Sequence, residues 1–312
     1  MENNLLVSVS PHYHKEGATT RRIMLDVIIA LIPALLAGVL IFGVRTLLVA
    51  AVSVANCVLL ELVWEKLMKK PSTVGDLSAV VTGLLIAYNV PVTMPLWQLL
   101  IGDFIAIIIV KMLFGGIGCN FVNPALVGRV AMMLSFTGSM TNYNTYVSSV
   151  DVLSSATPLS AMGDLGLNDI GTLLLGRHGG MLGETCAIAL IIGGIYLVAR
   201  GVIKPIIPVC YVGTVLVFTW LFTGFNGTEA VLSLFAGGLM LGAIFMATDY
   251  VTSPMTNKGK VIYAVGCGFL TVCIRLLASS AEGVSFAILL MNLLVPYIND
   301  GTKTKPLGGV KA

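Results

Sequence analysis

Residues 24 to 43 read Met-Leu-Asp-Val-Ile-Ile-Ala-Leu-Ile-Pro-Ala-Leu-Leu-Ala-Gly-Val-Leu-Ile-Phe-Gly. At ~1.5 Å per residue, a helix of this length crosses the ~30 Å hydrocarbon core of a bilayer. Comparable apolar runs recur along the chain, so the sequence predicts an all-α polytopic membrane protein with about ten transmembrane helices. The predicted spans are 24–43, 46–65, 76–90, 97–114, 124–138, 182–199, 205–223, 229–247, 260–278 and 283–298.

Composition agrees with this class. Of the 312 residues, 57% are hydrophobic and 11% are charged, and the mean hydropathy is +0.96, which excludes an ordinary soluble domain. The six cysteines form no CxxC pair, so neither an iron-sulfur cluster nor any other metal site is predicted. The net charge of +3 reflects basic loops and does not indicate nucleic-acid binding. No cleaved signal peptide is expected.

Lysine and arginine are concentrated in alternate loops, which predicts the orientation, because basic loops stay in the cytoplasm. With an even number of spans, both termini are then cytoplasmic and the long loop 139–181 is extracytoplasmic. The basic residues on the predicted cytoplasmic side are Lys15, Arg21, Arg22, Lys66, Lys69, Lys70, Arg200, Lys204, Lys258, Lys260, Lys303, Lys305 and Lys311.

Two stretches of the chain match in pattern. Val92 to Pro95 and Val251 to Pro254 both read Val-Thr-x-Pro, and each precedes an apolar span that ends in one basic residue, Lys111 or Arg275. We therefore predict two inverted five-helix repeats. The spans 76–90 and 124–138 are short and have helix breakers at their ends, near Asn89 and Asn123, which predicts discontinuous or tilted helices there. The predicted segments are a cytoplasmic N-terminal segment 1–23, a first repeat 24–138, the loop 139–181, a second repeat 182–299 and a cytoplasmic tail 300–312.

The loop between the repeats contains Thr157, followed by Pro158. Proline disfavours a helical conformation in the residue before it, so the threonine hydroxyl is expected on extended, accessible backbone. From residue types alone this is a turn. A loop of about forty residues in a compact protein is usually functional or disordered.

Two further stretches combine helix breakers with polar side chains. The glycine-rich turn from 115 to 123 includes Asn120 and Asn123, and Asp249 follows the eighth span. Either stretch fits a ligand site or an ordinary capped turn. As a ligand site, the stretch that begins with Asp249 fits a cation, a phosphate or another subunit.

Ionisable residues inside predicted spans are costly and often mark ion or proton paths. Glu61 and Lys111 are interpreted as reaching out to the membrane surface from positions near helix ends. Asp103 and Asp249 are the candidates for an ion path, with a structural salt bridge as the alternative role.

Taken together, the motifs resemble a known family. The chain is similar to the D subunit of the Rnf complex, the membrane-bound ferredoxin:NAD oxidoreductase, which is related to the B subunit of the sodium-pumping NADH:quinone oxidoreductase. The resemblance runs through the residue stretches 8–12, 115–125, 154–159, 248–249 and 283–287.

The resemblance implies a cofactor. In the family, FMN is attached through its phosphate to a threonine in a Ser-Gly-Ala-Thr sequence, which corresponds here to Ser154, Ser155, Ala156 and Thr157, with Thr157 as the phosphoryl attachment point. Ser155 replaces the usual glycine, which puts the fine geometry of the loop in question. The flavin transferase that makes the link acts outside the cytoplasmic membrane, as the predicted topology requires.

The implied chemistry is electron transfer within a redox-driven ion translocase, so no catalytic residue is predicted in this chain. Electrons come from the covalent-FMN G subunit and go toward the NAD-reducing C subunit, and Na+ or H+ moves outward. A second, noncovalent riboflavin is implied by the quinone-linked relative, with Asn120, Asn123 and Asp249 as its predicted surroundings. The location is the bacterial or archaeal cytoplasmic membrane.

A function of another class also fits the pattern. Inverted five-span repeats with broken helices form channels and secondary transporters for small solutes. A covalent flavin distinguishes the two functions.

Overall fold

The structure is a computed structural model that describes residues 19–142, 170–176, 178–184, 186–277 and 283–303, together with the backbone of two short strands. The strands, β1 (Asn144–Thr145) and β2 (Leu153–Ser154), pair antiparallel with Asn144 opposite Ser154. The regular structure of the other described residues is helical, which confirms the predicted all-α class.

The described helices of the first half lie before residue 142. A 3-10 turn (Val74–Asp76) precedes the third helix, and a π-helical segment (Ile105–Met112) continues the fourth. The α-helices are α1 (Thr20–Phe42), α2 (Arg45–Leu67), α3 (Ser78–Tyr88), α4 (Leu96–Phe104), α5 (Pro124–Ser135) and α6 (Thr137–Met140).

The described helices of the second half begin at residue 170. A second π-helical segment (Gly242–Met246) continues the short helix α11. The α-helices are α7 (Ile170–Leu175), α8 (Ala187–Ala199), α9 (Ile206–Phe222), α10 (Gly227–Phe235), α11 (Leu239–Leu241), α12 (Asn257–Leu277) and α13 (Gly283–Gly301).

Helix length and composition confirm a polytopic membrane protein. Within the described residues, α1, α2, α12 and α13 are long and apolar enough to cross a bilayer, and the pair α10 and α11, bent by 64°, makes a fifth span if it is counted as one. Shorter apolar helices are α3, α5, α8 and α9. The total of ten spans, the repeat boundaries and the inverted symmetry stay predictions.

Two predicted spans differ clearly from the structure. The span 182–199 is helical only from Ala187, because residues 182–184 form a turn against the end of α3. The sequence predicts a continuous helix over 229–247, whereas the helix is broken at 236–238. Ala236 is extended, and Gly237 has a φ of +69°, a left-handed conformation that glycine adopts without steric cost. The break turns the chain toward Glu184, since a Cβ on Gly238 would lie 2.5 Å from Glu184 Oε1.

Helix contacts join the two halves into one core. α1 packs against α2 and α8, α12 packs against α9 and α13, and α5 packs against α3, α4 and α13. Buried tyrosines add polar links, as where the Tyr88 hydroxyl donates to the Leu31 carbonyl at 2.7 Å. Leu40 is 87% exposed, as expected on a surface that faces lipid.

Candidate functional site

A cavity of about 380 Å³ lies near the N-terminal end of α1 and the connection between α8 and α9. This volume falls in the range of ~300–1,000 Å³ typical of small-molecule sites. Apolar side chains form much of the wall, including Val27, Leu85 and Phe245. The polar side chains that line it include Ser78, Thr82, Lys111, Asn120, Asn123 and Asp249.

The structure therefore brings to one cavity Asn120, Asn123 and Asp249, the three residues predicted to surround a second flavin. Asn120 and Asn123 come from the turn before α5, and Asp249 comes from the segment after the bent α10–α11 pair. An apolar cavity of this size with a few polar groups on its wall is typical of a site for a small organic molecule.

Asn123 has a structural role at this site. Its Oδ1 accepts from the backbone N–H of Ala125 at 3.0 Å and of Leu126 at 3.4 Å, which caps the start of α5. Its Nδ2 donates to the Met246 carbonyl at 3.3 Å. Both ends of this amide are engaged, so Asn123 shapes the cavity wall and connects the two halves of the protein.

Asn120 differs from Asn123. Its Oδ1 is buried and has no hydrogen-bond partner among the described residues. A buried amide oxygen without a partner costs free energy, which a donor on a bound molecule recovers. Asn120 is therefore the residue of the turn that is best placed to bind a ligand.

Asp249 lies in the loop that follows the second π-helical segment. Its Oδ2 accepts from the Thr252 hydroxyl at 3.1 Å. Burial raises the pKa of this carboxyl above the ordinary aspartate value, because desolvation disfavours the charged form. The cavity thus contains a carboxyl that gains a proton more readily than an exposed aspartate.

Lys111 and Glu61 form an ion pair at the cavity wall. Lys111 Nζ lies 2.8 Å from Glu61 Oε2 and 2.6 Å from Ser78 Oγ. Lys111 is 2% exposed and Glu61 is 0% exposed. The interpretation that both side chains reach the membrane surface is therefore wrong, because each charge is neutralised by the other inside the protein.

Asp103 lies apart from the cavity and is fully buried. Its Oδ1 accepts from the Ser53 hydroxyl at 2.8 Å, and its Oδ2 accepts from Asn56 Nδ2 at 3.1 Å. None of the ion pairs among the described residues includes Asp103. The structure thus separates the two acidic ion-path candidates, Asp103 and Asp249.

Another buried ion pair lies where the end of α3 meets the break between α10 and α11. Arg129 on α5 donates to Glu184 Oε1 at 2.7 Å and also to Asn89 Oδ1, at the C-terminal end of α3. Backbone hydrogen bonds from Leu182 to Val90 (3.2 Å) and from Gly183 to Tyr88 (2.8 Å) fix the segment before α8 against this end of α3.

The predicted flavin loop lies mostly outside the described residues. Ser155, Ala156 and Thr157 are among the residues that the structure does not describe, and Ser154 is described only as backbone in β2. The attachment residue therefore stays a prediction from sequence.

Sequence reasoning missed three polar residues that contact the buried ion pairs: Glu184, which pairs with Arg129, and Thr73 and Glu65, which lie next to Glu61. Glu184 and Glu65 lie in predicted apolar spans, where a carboxylate is itself a functional signal, and Thr73 lies in the loop after α2. Within the described part of the chain, no group of three or more His, Cys, Asp and Glu side chains is placed to hold a metal ion.

Comparison with known proteins covers nearly the whole chain. The model of the NQR2, RnfD, RnfE family matches residues 6–308. The chain is 44% identical to the D subunit of the Na(+)-translocating ferredoxin:NAD(+) oxidoreductase complex of Acetobacterium woodii, over 99% of this chain and 97% of that one. It is 40% identical to the D subunit of the proton-translocating ferredoxin:NAD(+) oxidoreductase complex of Clostridium ljungdahlii, over 98% and 97%. It is 36% identical to the D subunit of the ion-translocating oxidoreductase complex of Actinobacillus succinogenes, over 96% of each chain.

Proposed function

The chain belongs to the NQR2, RnfD, RnfE family, and we propose that it is the membrane electron-transfer subunit of an ion-translocating ferredoxin:NAD+ oxidoreductase complex and carries covalent FMN. The observation that carries the proposal is the end-to-end match to relatives named as the D subunit of such complexes. Membership of a multi-subunit redox complex follows from the family. The cofactors, the specific partners and the ion path are our proposals.

We assign the covalent FMN to Thr157. Its hydroxyl supplies the oxygen of a phosphoester bond to the FMN phosphate. The small side chains of the preceding residues Ser154, Ser155 and Ala156 leave this hydroxyl accessible to a flavin transferase. Ser155, in the place of glycine, keeps the side chains small, and Thr157 precedes Pro158, a position where a helical conformation is disfavoured.

We assign a second, noncovalent flavin, riboflavin, to the cavity. When bound, its ring supplies redox chemistry by taking up and passing on electrons. The residues present fit such a ring, because the walls are largely apolar and the buried Asn120 Oδ1 has no hydrogen-bond partner among the described residues. Asn120 would accept from a ring N–H, while Asn123 holds the turn in place through its capping bonds.

The proposed topology has ten spans in two inverted repeats, with both termini in the cytoplasm and the Thr157 loop outside. In support, the two matching Val-Thr-x-Pro stretches, 92–95 and 251–254, both lie in non-helical segments of the structure. The cavity lies on the side of the α1 N-terminus and the α8–α9 connection, both predicted to be cytoplasmic.

The proposed partners follow from this arrangement. The covalent-FMN G subunit gives electrons to the outer flavin, and the NAD-reducing C subunit receives them on the cytoplasmic side. Asp249 and Asp103 are the proposed ion-path residues, with Na+ or H+ as the coupling ion, since oxygen ligands serve either.

The test of the proposal is direct. The complex is purified, its subunits are separated on a denaturing gel, and the gel is viewed under ultraviolet light. We expect a fluorescent band for this chain and a mass on the Thr157 peptide that includes FMN. A dark band and an unmodified Thr157 peptide would instead favour a solute channel or transporter built on the same broken helices.

A further inference from the structure

Asn292, on α13, is 1% exposed and is not among the residues that line the cavity. It contacts two segments that do line it. One is the glycine-rich turn 115–123, which we call the Asn120 turn, and the other is the loop 248–256, which we call the Asp249 loop. A side chain in this position can fix how the two segments lie relative to each other.

The side-chain amide of Asn292 forms a hydrogen bond with each segment. The oxygen and nitrogen of an asparagine amide are assigned from the donors and acceptors around them. The backbone N–H of Asn123 is a donor, so it faces Oδ1, at 3.3 Å. The backbone carbonyls of Thr252 and Ile288 are acceptors, so they face Nδ2, each at 3.2 Å. The Asn120 turn and the Asp249 loop are therefore bonded to opposite ends of one amide.

Two further contacts hold this amide in place. The Tyr263 hydroxyl, on α12, lies 2.7 Å from Nδ2 of Asn292 and accepts from it in this orientation, since a tyrosine hydroxyl both donates and accepts. The Ile288 carbonyl belongs to the preceding turn of α13, so the amide is also bonded to its own helix. The two hydrogens of Nδ2 are shared among these acceptors and Thr252. The amide is thus a fixed point against which both segments are positioned.

The backbone groups that Asn292 binds lie close to the candidate ligand residues. The Thr252 hydroxyl donates to Asp249 Oδ2 at 3.1 Å, and Asn123 follows Asn120 by three residues in the same turn. Among the described residues, the N–H of Asn123 and the C=O of Thr252 have no backbone partner. A buried backbone group without a partner costs free energy, so both segments are held against Asn292.

We propose that Asn292 is a positioning residue of the cavity site and holds the Asn120 turn and the Asp249 loop at the separation that their ligands require. It touches neither ligand and acts through the backbone of Asn123 and Thr252. One change at Asn292 therefore affects both ligands at once. The ligands, a flavin at Asn120 and a cation at Asp249, rest on the proposed function, whereas the link between the two segments does not.

Hydrogen exchange in the intact complex tests the link itself. Asn292→Leu keeps the branched outline of asparagine but forms no side-chain hydrogen bond. Peptides from both segments should then exchange faster than in the parent, by roughly two- to tenfold, the factor for one lost hydrogen bond. Tyr211→Phe is the matched control, because it removes an equally buried bond, 2.7 Å from Tyr211 to Thr271, away from both segments. Faster exchange in one segment alone, or in neither, would overturn the link.

Ligand binding distinguishes positioning from packing. Asn292→Leu should retain less noncovalent flavin and shift the half-maximal concentration of the coupling cation, Na+ or H+, by roughly tenfold, as for residues that orient metal ligands through hydrogen bonds. Asn292→Gln keeps the amide on a longer side chain and should lie closer to the parent in both measurements. A packing role predicts the opposite order, since leucine matches the outline of asparagine and glutamine does not. That opposite order, or an effect on one ligand alone, would overturn the positioning role.

The parent complex separates failure of this proposal from failure of the proposed function. A parent without noncovalent flavin would contradict the proposed function, and hydrogen exchange would still decide whether Asn292 links the two segments. A parent that holds the flavin, with Asn292→Leu holding it equally well, would contradict the positioning role alone. Asn292→Ala, which adds no bulk, takes the place of Asn292→Leu in every comparison if the leucine variant does not assemble.

Discussion

Arg129 and Glu184 form a buried ion pair, with 2.7 Å between Nη2 and Oε1, where the end of α3 meets the break between α10 and α11. Arg129 also donates to Asn89 at the end of α3, and Gly238 in the break lies against Glu184. One arginine from α5 thus connects the end of α3, this break and the segment before α8. A charge in this position is retained only with a partner, since each ion alone is expensive to bury.

Removing one member of this pair should destabilise the protein strongly. We expect Glu184→Gln to lower the free energy of unfolding by ~3–5 kcal/mol, the usual cost of leaving a buried charge without its partner. Unfolding in mixed detergent micelles measures the change. Lys303→Gln is the control, because its pair with Asp300 is exposed and should be worth no more than ~1 kcal/mol. Equal losses of unfolding free energy in the two variants would mean that the buried Arg129–Glu184 pair does not stabilise the fold more than an exposed pair.

The break in the α10–α11 pair makes a separate prediction. Gly238→Ala should destabilise the fold by roughly 1–3 kcal/mol, because the new Cβ lies 2.5 Å from Glu184 Oε1 and 3.3 Å from Arg129 Nη1. Gly213→Ala is the control within α9, where nothing lies within 4 Å of the added Cβ. That helix-interior change should be neutral or stabilise by up to ~1 kcal/mol. If both variants unfold alike, the close approach at Gly238 is not a constraint.

The sequence predicted the class of the fold because a segment that crosses the hydrocarbon must be a helix of about twenty mostly apolar residues, and such runs are visible in the sequence. It also indicated broken helices near Asn89 and Asn123, where proline and asparagine end the apolar runs. It missed the break at Ala236 to Gly238, since glycine and alanine continue an apolar pattern and only contacts with Glu184 reveal the need for the turn.

The site was predicted in part. Asn120, Asn123 and Asp249 were each recognised by residue type, and the structure brings them to one cavity. Their different roles depend on which hydrogen bonds are already made, and this cannot be read from spacing. The pairing of Lys111 with Glu61 was missed for the same reason, because a charged residue near a helix end looks like one that reaches the surface.

Alanine substitutions at Asn120 and Asn123 should affect different properties, flavin occupancy in the first case and stability in the second. Asn120→Ala should lower the occupancy of the noncovalent flavin, measured by extraction and chromatography, with little change in stability, because its Oδ1 has no hydrogen-bond partner among the described residues. Asn123→Ala should cost ~1 kcal/mol of stability through loss of the cap on α5. The converse pattern would reverse the assignment of ligand and structural roles.

The covalent flavin gives a prediction that does not depend on the cavity. Thr157→Ala should abolish the fluorescent band of this chain on a denaturing gel while the noncovalent flavin and the fold persist, because the hydroxyl is the attachment atom. Thr141→Ala is the control, since the Thr141 hydroxyl donates to the Thr137 carbonyl at 2.9 Å, before the flavin loop. Fluorescence that survives in Thr157→Ala places the flavin on another residue.

Asp249 should make ion-dependent turnover sensitive to pH. Burial raises its pKa above the ordinary aspartate value of ~3.9, so on acidification this carboxylate is neutralised at a higher pH than an exposed one. In the parent, cation-dependent turnover should weaken as the pH falls through that raised pKa. Asp249→Asn should lack this step and, above the raised pKa, bind the cation roughly tenfold more weakly than the parent, the loss expected for ~1.4 kcal/mol. Below that pKa the two proteins should bind the cation alike.

Ferredoxin-linked NAD+ reduction in membrane vesicles, titrated with Na+ at several pH values, measures both effects. Glu229→Gln serves as the control carboxylate, because Glu229 lies at the start of α10, away from the residues that line the cavity, and accepts from Asn226 Nδ2 at 2.9 Å. Turnover in Asp249→Asn that matches the parent in cation dependence and in pH profile would remove Asp249 from the ion path. Its role would then be to hold the loop that lines the cavity, through its hydrogen bonds with the Thr252 hydroxyl and with the backbone of Tyr250 and Val251.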